Sequence, residues 1–336
     1  MLTRPDMIRP EGSRLLDVRD LHVEFRTRDG VARAVNGVSY SVGAGETLAV
    51  LGESGSGKSV TAQAVMGILD TPPGRITGGE IHFRGQDLLR LGEDARRRVR
   101  GAQLAMIFQD ALSALNPVLS VGRQLGEMFT VHQGLTRRQA RARAVELMDR
   151  VRIPAAKQRV GDYPHQFSGG MRQRIMIAMA IALEPALIIA DEPTTALDVT
   201  VQAQVMELLA ELQRESTMGL VLITHDLGVV AGVADHIAVM YAGRIVETAA
   251  VHDIYKAPAH PYTKALLDSI PRLDRKGRGL TAIRGLPPDP LRVPTGCAFR
   301  PRCPLAQDVC ATEPPLHESG PARRSACHFW RETLDG

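Results

Sequence analysis

No stretch of this 336-residue chain approaches the run of about 18 apolar residues that crosses a bilayer; its most apolar segments, 186–190 and 219–223, have the length of buried strands. The opening residues, Met1 to Asp6, hold no apolar core of the kind a secretory leader needs. The expectation is a cytosolic chain, in which any membrane role must come through a partner. Neither sign of charge dominates, with 41 Lys and Arg against 37 Asp and Glu. The one dense basic run, Arg96-Arg97-Arg98-Val99-Arg100, has none of the interleaved aromatics that single-strand binders use. It reads as a solvated helix face, so no nucleic-acid partner is expected. No cysteine precedes Cys297, and all four (Cys297, Cys303, Cys310, Cys327) fall in the last 40 residues without a C-x-x-C pair. At this length one large core with one or two smaller units is the prior expectation.

What is present begins with Gly52-Glu53-Ser54-Gly55-Ser56-Gly57-Lys58-Ser59, a complete G-x-x-x-x-G-K-S loop. A triphosphate wants many N–H groups converging on it, and only glycines let a backbone fold that tightly at positive φ. The run 46–51 before the loop reads as a buried strand and 60–66 after it as a helix, so the phosphates sit at a helix N-terminus, where the dipole favours anions. Gly52, Ser54, Gly55, Gly57, Lys58, Ser59 and Val60 are the candidate contacts for ATP, with Lys58 on the β- and γ-phosphates and Ser59 on Mg²⁺. Further on, Leu187-Ile188-Ile189-Ala190 runs into Asp191-Glu192. A buried strand ending in acids is where an α/β sheet places its ligand. Asp191 is assigned to the Mg²⁺ shell and Glu192 to general base or water orientation at the γ-phosphate.

Alternating apolar positions from Leu15 to Val50, with a turn at Asp29-Gly30, predict a small antiparallel sheet ahead of the loop. Residues 78–85 read as another hairpin and 104–108 as a strand ending at Gln109. Residues 110–184 turn helical; Ala140, Ala144, Leu147, Met148 and Val151 mark one face of a helix over 137–151. Strands at 186–190, 219–224 and 237–241 then alternate with helices at 201–215 and 228–234, the pattern of a doubly wound α/β core. Beyond Val251 prolines (258, 261, 271, 287, 288, 290, 294) predict a tail with little helix or sheet of its own.

Residues Val18 to about Glu247 resemble the ATP-binding subunit of an ATP-binding-cassette (ABC) transporter. Phe167-Ser168-Gly169-Gly170-Met171-Arg172-Gln173-Arg174 is similar to the family's signature, Met171 standing where Gln is commoner. Gln109 matches the Q-loop, Thr195-Ala196-Leu197-Asp198 the D-loop, and His225 the switch histidine. The resemblance implies an α/β ABC-type ATPase: a RecA-like parallel sheet with an antiparallel β-subdomain over 15–109 and 185–250, a helical subdomain over 110–184, and a small irregular Cys-rich region over 251–336. It implies ATP bound by the loop of one subunit and by the signature, Ser168, Gly169 and Gly170, of another, with Gln109, Asp191 and Asp198 also in the nucleotide site, Mg²⁺ held by Ser59, Gln109 and Asp191, and catalysis by Glu192 with His225. An aromatic stacks on adenine in such chains; Phe25 and Tyr40 are the candidates. The implied partners are a second ATPase subunit, with a heterodimer favoured over a homodimer, and two membrane permease subunits. An extracytoplasmic solute-binding protein acts indirectly. The implied location is peripheral, at the cytoplasmic face of the inner membrane.

The tail resembles the oligopeptide and dipeptide importers through Ala259-His260-Pro261-Tyr262-Thr263-Lys264-Ala265-Leu266-Leu267, Gly285-Leu286-Pro287-Pro288 and Gly296-Cys297-Ala298-Phe299. The expected function is ATP hydrolysis powering di- or oligopeptide import. The same machine carrying a nickel chelate, a glutathione-like peptide or an oligosaccharide is one alternative, and a soluble ABC ATPase is the other. The C-x₅-C-x₆-C-x₁₆-C spacing suits a [4Fe–4S] cluster, with Arg300 and Arg302 offsetting its charge. A Cys₄ zinc site or plain reduced thiols are the alternatives.

Overall fold

The computed structural model describes residues 14–195, 197–269 and 283–335. Met1 to Asp6, Ala196 of the D-loop-like segment and Pro271 of the tail lie outside the described residues. The strands are, in chain order, β1 (Arg14–Thr27), β2 (Gly30–Gly43), β3 (Thr47–Leu51), β4 (Gly74–Phe83), β5 (Gln86–Asp87) and β6 (Leu104–Ile107). There follow β7 (Leu187–Asp191), β8 (Gly219–Thr224), β9 (His236–Tyr241), β10 (Arg244–Ala250), β11 (His317–Gly320) and β12 (Arg323–Ser325). The chain divides into two compact units, one from the described residues of 1–43, 47–89 and 224–336, the other from those of 44–46 and 90–223.

In the first unit β2, β1, β4 and β5 form the expected antiparallel sheet. Leu16, Val18, Leu21 and Val23 are its buried face. The three-residue step from Val18 to Leu21 is a register shift, a bulge that returns the alternation to the same side. The unit also holds β3 parallel to β9, with β10 and then β12 and β11 added antiparallel. Every residue of β3 is buried, as a strand covered on both faces requires.

In the second unit β6, β7 and β8 run parallel and are buried along their whole length. The helix Arg137–Arg150 opens on a capping box between Thr136 and Gln139 and buries Ala140, Ala144, Leu147 and Met148, as its periodicity predicts. The basic run lies on the helix Glu93–Val99, which buries no residue and pairs Arg97 and Arg100 with Glu93. That is the solvated face expected of it. Among the described residues no helix is long and apolar enough to cross a membrane.

The tail departs from expectation. It carries the helices Val251–Lys256 and Pro261–Asp268 and the strands β11 and β12, and β12 pairs with β10 through Glu247↔Ser325 and Thr248↔Arg324. Glu247 is fully buried; its carboxylate accepts the N–H groups of Ala259 at 2.6 Å and His260 at 3.0 Å. Tyr241, Tyr262 and Phe299 pack ring against ring at 4.5–5.3 Å. Sheet extension, a buried carboxylate and this aromatic group hold a proline-rich segment that periodicity alone left without structure.

Candidate functional site

The helix Lys58–Met66 starts at Gly57, whose φ of 101° is left-handed. A Cβ there would lie 2.3 Å from the Ala34 carbonyl oxygen, so only glycine fits. No side chain caps this helix, and nothing lies within 4 Å of where a Gly55 Cβ would stand. The loop is thus an open cradle at a helix N-terminus, which fits a phosphate group. Ser54 and Gly55 are exposed, Ser59 and Val60 half-buried. Lys58 is 4% exposed, and its ammonium donates to the carbonyl oxygens of Gly52 at 2.8 Å and Glu53 at 3.0 Å. Of the two aromatics considered for adenine, Phe25 is half-buried near the end of β1. Burial raises the pKa of the Tyr40 hydroxyl.

In the second unit Asp191 is buried at the end of β7 and Glu192 is half-buried beside it. Glu192 takes a left-handed φ of 46°, a strained conformation of the kind that gathers at active sites. Its N–H donates to the Ile223 carbonyl at 2.8 Å. Its Oε2 accepts from Gln109 Nε2 and from the Thr195 hydroxyl, each at 2.9 Å. Two of the predicted residues, Gln109 and Glu192, therefore meet directly. In the sequence Thr195 stands only as part of the D-loop match; its hydroxyl, three residues after Glu192, is the signal that places it.

Ser168 is the N-cap of the helix Gly169–Ile181, its side chain accepting the Met171 N–H. Ser168 and Gly169 are exposed and Gly170 half-buried. A Cβ on Gly170 would come 2.6 Å from a Val201 methyl, so the helix end needs a residue without one. Met171 sulfur accepts from Arg159 at 3.3 Å, and Arg159 lies 4.1 Å over the Phe167 ring. Asp198 is exposed and caps the helix Val199–Ser216 through the Val201 N–H. In the first unit His225 follows Thr224, the last residue of β8, and is exposed.

The four tail thiols lie within electrostatic reach of one another. Burial raises Cys297, pushes Cys303 up to about 11 and Cys327 up to about 12, and repulsion from neighbouring thiolates adds to it. Opposing this, the backbone N–H groups of Phe299, Leu305 and Phe329 favour the thiolates of Cys297, Cys303 and Cys327, and the Phe329 N–H donates to the Cys327 sulfur at 3.3 Å. Among the described residues no group of three or more His, Cys, Asp or Glu is arranged to hold a metal ion. The expected metal centre is thus not found as a formed ligand shell, for the cluster or for zinc. The charge of Arg300 pulls the Cys297 thiol down. Arg302, expected to offset a cluster's charge, instead pairs with Glu53 of the phosphate loop at 2.6 Å and 3.0 Å.

The ABC transporter family model matches residues 35–195, and the model for the oligopeptide/dipeptide transporter C-terminal region matches residues 246–310. The chain is 51% identical over 313 residues to the oligopeptide transport ATP-binding protein OppD of Salmonella typhimurium, covering 93% of each. To the dipeptide transport ATP-binding protein DppD of Bacillus subtilis it is 52% identical over 297 residues, covering 88% of this chain and 89% of that one. A solved dimer of the ATP-binding cassette MJ0796 bound to ADP and Pi superposes with a TM-score of 0.63 at 26% identity, over 70% of this chain and 98% of that one. The chain belongs to the ABC transporter family, as an ATP-binding subunit of its oligopeptide/dipeptide branch.

Proposed function

We propose that this chain hydrolyses ATP to power the import of di- or oligopeptides through two membrane permease subunits. One observation carries the reading: an open phosphate loop and a doubly held Glu192 occur in a chain matching oligopeptide and dipeptide transport subunits over about nine tenths of its length. Gly52, Ser54, Gly55, Gly57, Lys58, Ser59 and Val60 bind the phosphates. Ser59, Gln109 and Asp191 would hold Mg²⁺, which neutralises charge on the β- and γ-oxygens. Glu192 takes the proton of the attacking water as its oxygen bonds to the γ-phosphorus and the bond to the β–γ bridging oxygen breaks. His225 steadies the γ-phosphate. Ser168, Gly169, Gly170 and Asp198, on exposed helix ends, serve the nucleotide of a second ATPase subunit, most simply a different chain. The helical stretch 110–184, through Gln109, passes closure to the permeases at the cytoplasmic face of the membrane.

The test is reconstitution in vesicles with the second ATPase, both permeases and the binding protein. Peptides are expected to stimulate ATP hydrolysis and to accumulate. Stimulation by a nickel chelate, glutathione or an oligosaccharide but not by peptides overturns the cargo. Full activity without permeases favours the soluble ATPase.

For the tail, we propose a [4Fe–4S] cluster on Cys297, Cys303, Cys310 and Cys327. Its support is the donor chemistry, four thiols within electrostatic reach of one another, one of which accepts a backbone N–H, from Phe329 to Cys327, a feature that tunes sulfur ligands. Protein purified without air is expected to contain about four irons per chain with a band at roughly 400 nm. Zinc in their place, or no metal, rejects the cluster.

A further inference from the structure

The second residue of the phosphate loop is held by all three of its polar groups. The Glu53 N–H donates to the Tyr262 hydroxyl at 2.9 Å, and its carbonyl oxygen accepts from the Lys58 ammonium at 3.0 Å. Its carboxylate takes the Arg302 guanidinium in a two-pronged pair at 2.6 Å and 3.0 Å. Two of these three partners come from the tail, 209 and 249 residues away. Both are themselves immobilised. Tyr262 is fully buried, its ring 4.5 Å from that of Tyr241 and 5.3 Å from that of Phe299. The Arg302 side chain is 4% exposed; its Nε donates to the Arg284 carbonyl at 2.9 Å, and one terminal nitrogen reaches the Tyr241 hydroxyl at 3.3 Å.

A loop with glycines at 52, 55 and 57 has many conformations to lose, and only the one that converges its N–H groups binds a triphosphate. Affinity falls by the fraction of molecules in that conformation. A carboxylate inside such a loop also repels phosphate unless it is paired. We propose that Tyr262 and Arg302 are positioning residues for ATP: through Glu53 the tail fixes the phosphate loop in its binding conformation and neutralises the one acid within it. This rests on the reading of Gly52–Ser59 as the ATP loop.

The experiment measures the MgATP dissociation constant, KM, kcat and Tm of the full chain and its variants, with the second ATPase subunit present for the kinetics. Arg302→Met is expected to raise the dissociation constant and KM about tenfold or more, near the worth of a hydrogen bond to a charged group, and Tyr262→Phe, which loses a neutral bond to the Glu53 N–H, about threefold to tenfold. Once ATP is bound the loop is formed, so kcat should stay within about twofold. Adding Glu53→Gln to Arg302→Met removes the unpaired carboxylate and is expected to recover the share of affinity lost to its charge, while the share lost with the clamp stays lost. Wild-type dissociation constants overturn the proposal, and so does a lower Tm with reduced kcat and unchanged KM, or the absence of rescue. Should Tyr262→Phe fail to fold, the Arg302→Met pair and its rescue decide. Lys58→Ala is the separate control: if it binds MgATP normally, the loop reading itself has failed, whereas its loss of binding beside normal clamp variants rejects only the clamp.

Discussion

Glu192→Gln is expected to lower ATP hydrolysis by about 10²–10⁴-fold, the range for a positioned general base, while MgATP affinity changes by less than about threefold. The substitution keeps shape and size. The Thr195 hydroxyl and Gln109 amide meet the Glu192 carboxylate at 2.9 Å, and a Gln oxygen can still accept from either. What is lost is the ability to take a proton from water. The left-handed backbone at Glu192, φ 46°, and the N–H bond to Ile223 are unaffected by the side chain, so the strand end stays as it is. Phosphate release at saturating ATP, beside equilibrium nucleotide binding, separates the two effects. A loss of less than about tenfold in kcat would remove Glu192 from the role of base, and a matching loss of affinity would make it a structural residue.

The parts of this site legible in the sequence are those built from local pattern. Apolar runs such as Leu187-Ile188-Ile189-Ala190 leave few options besides a strand covered on both faces, and β7 is one. The glycines of the loop declare a left-handed helix start, found at Gly57. Periodicity finds the helix at 137–150 because its apolar residues recur at turns of the helix. The tail resists the same treatment. Strands β11 and β12 are four and three residues long, too short to show alternation, and mostly polar. What makes β12 a strand is pairing with β10, a contact no local window contains, and β11 pairs in turn with β12. Arg302 shows the limit most plainly. Its neighbour Cys303 suggested a charge-balancing role, yet its partner Glu53 is 249 residues away. Only folding brings that pair together.

Removing the Glu247 carboxylate is expected to loosen the tail, with a pH dependence that identifies it. Burial pushes Glu247 from its ordinary value of 4.5 up to about 7, against the pull of its hydrogen bonds and of Arg323. The folded chain therefore binds the proton more tightly than the unfolded one. Stability from this group is complete below about pH 4.5 and is lost as pH rises through 7, some ~3 kcal/mol at 1.36 kcal/mol per unit. His260 works in the opposite sense: burial drives it from 6.5 down to about 3, so its contribution is complete above about pH 6.5 and is lost on acidification. Between about pH 4.5 and 6.5 the two slopes oppose and largely cancel. Glu247→Gln removes one of them. Amide hydrogen exchange over residues 257–269 should then report a tail that opens more readily as pH falls from about 6.5 to 4.5, whereas the wild-type tail holds steady across that range. Glu247→Ala should open it at every pH, because the N–H groups of Ala259 and His260 would be left buried and unpaired at about 1–3 kcal/mol each. Parallel opening curves for wild type and Glu247→Gln would show that the carboxyl is not the titrating group.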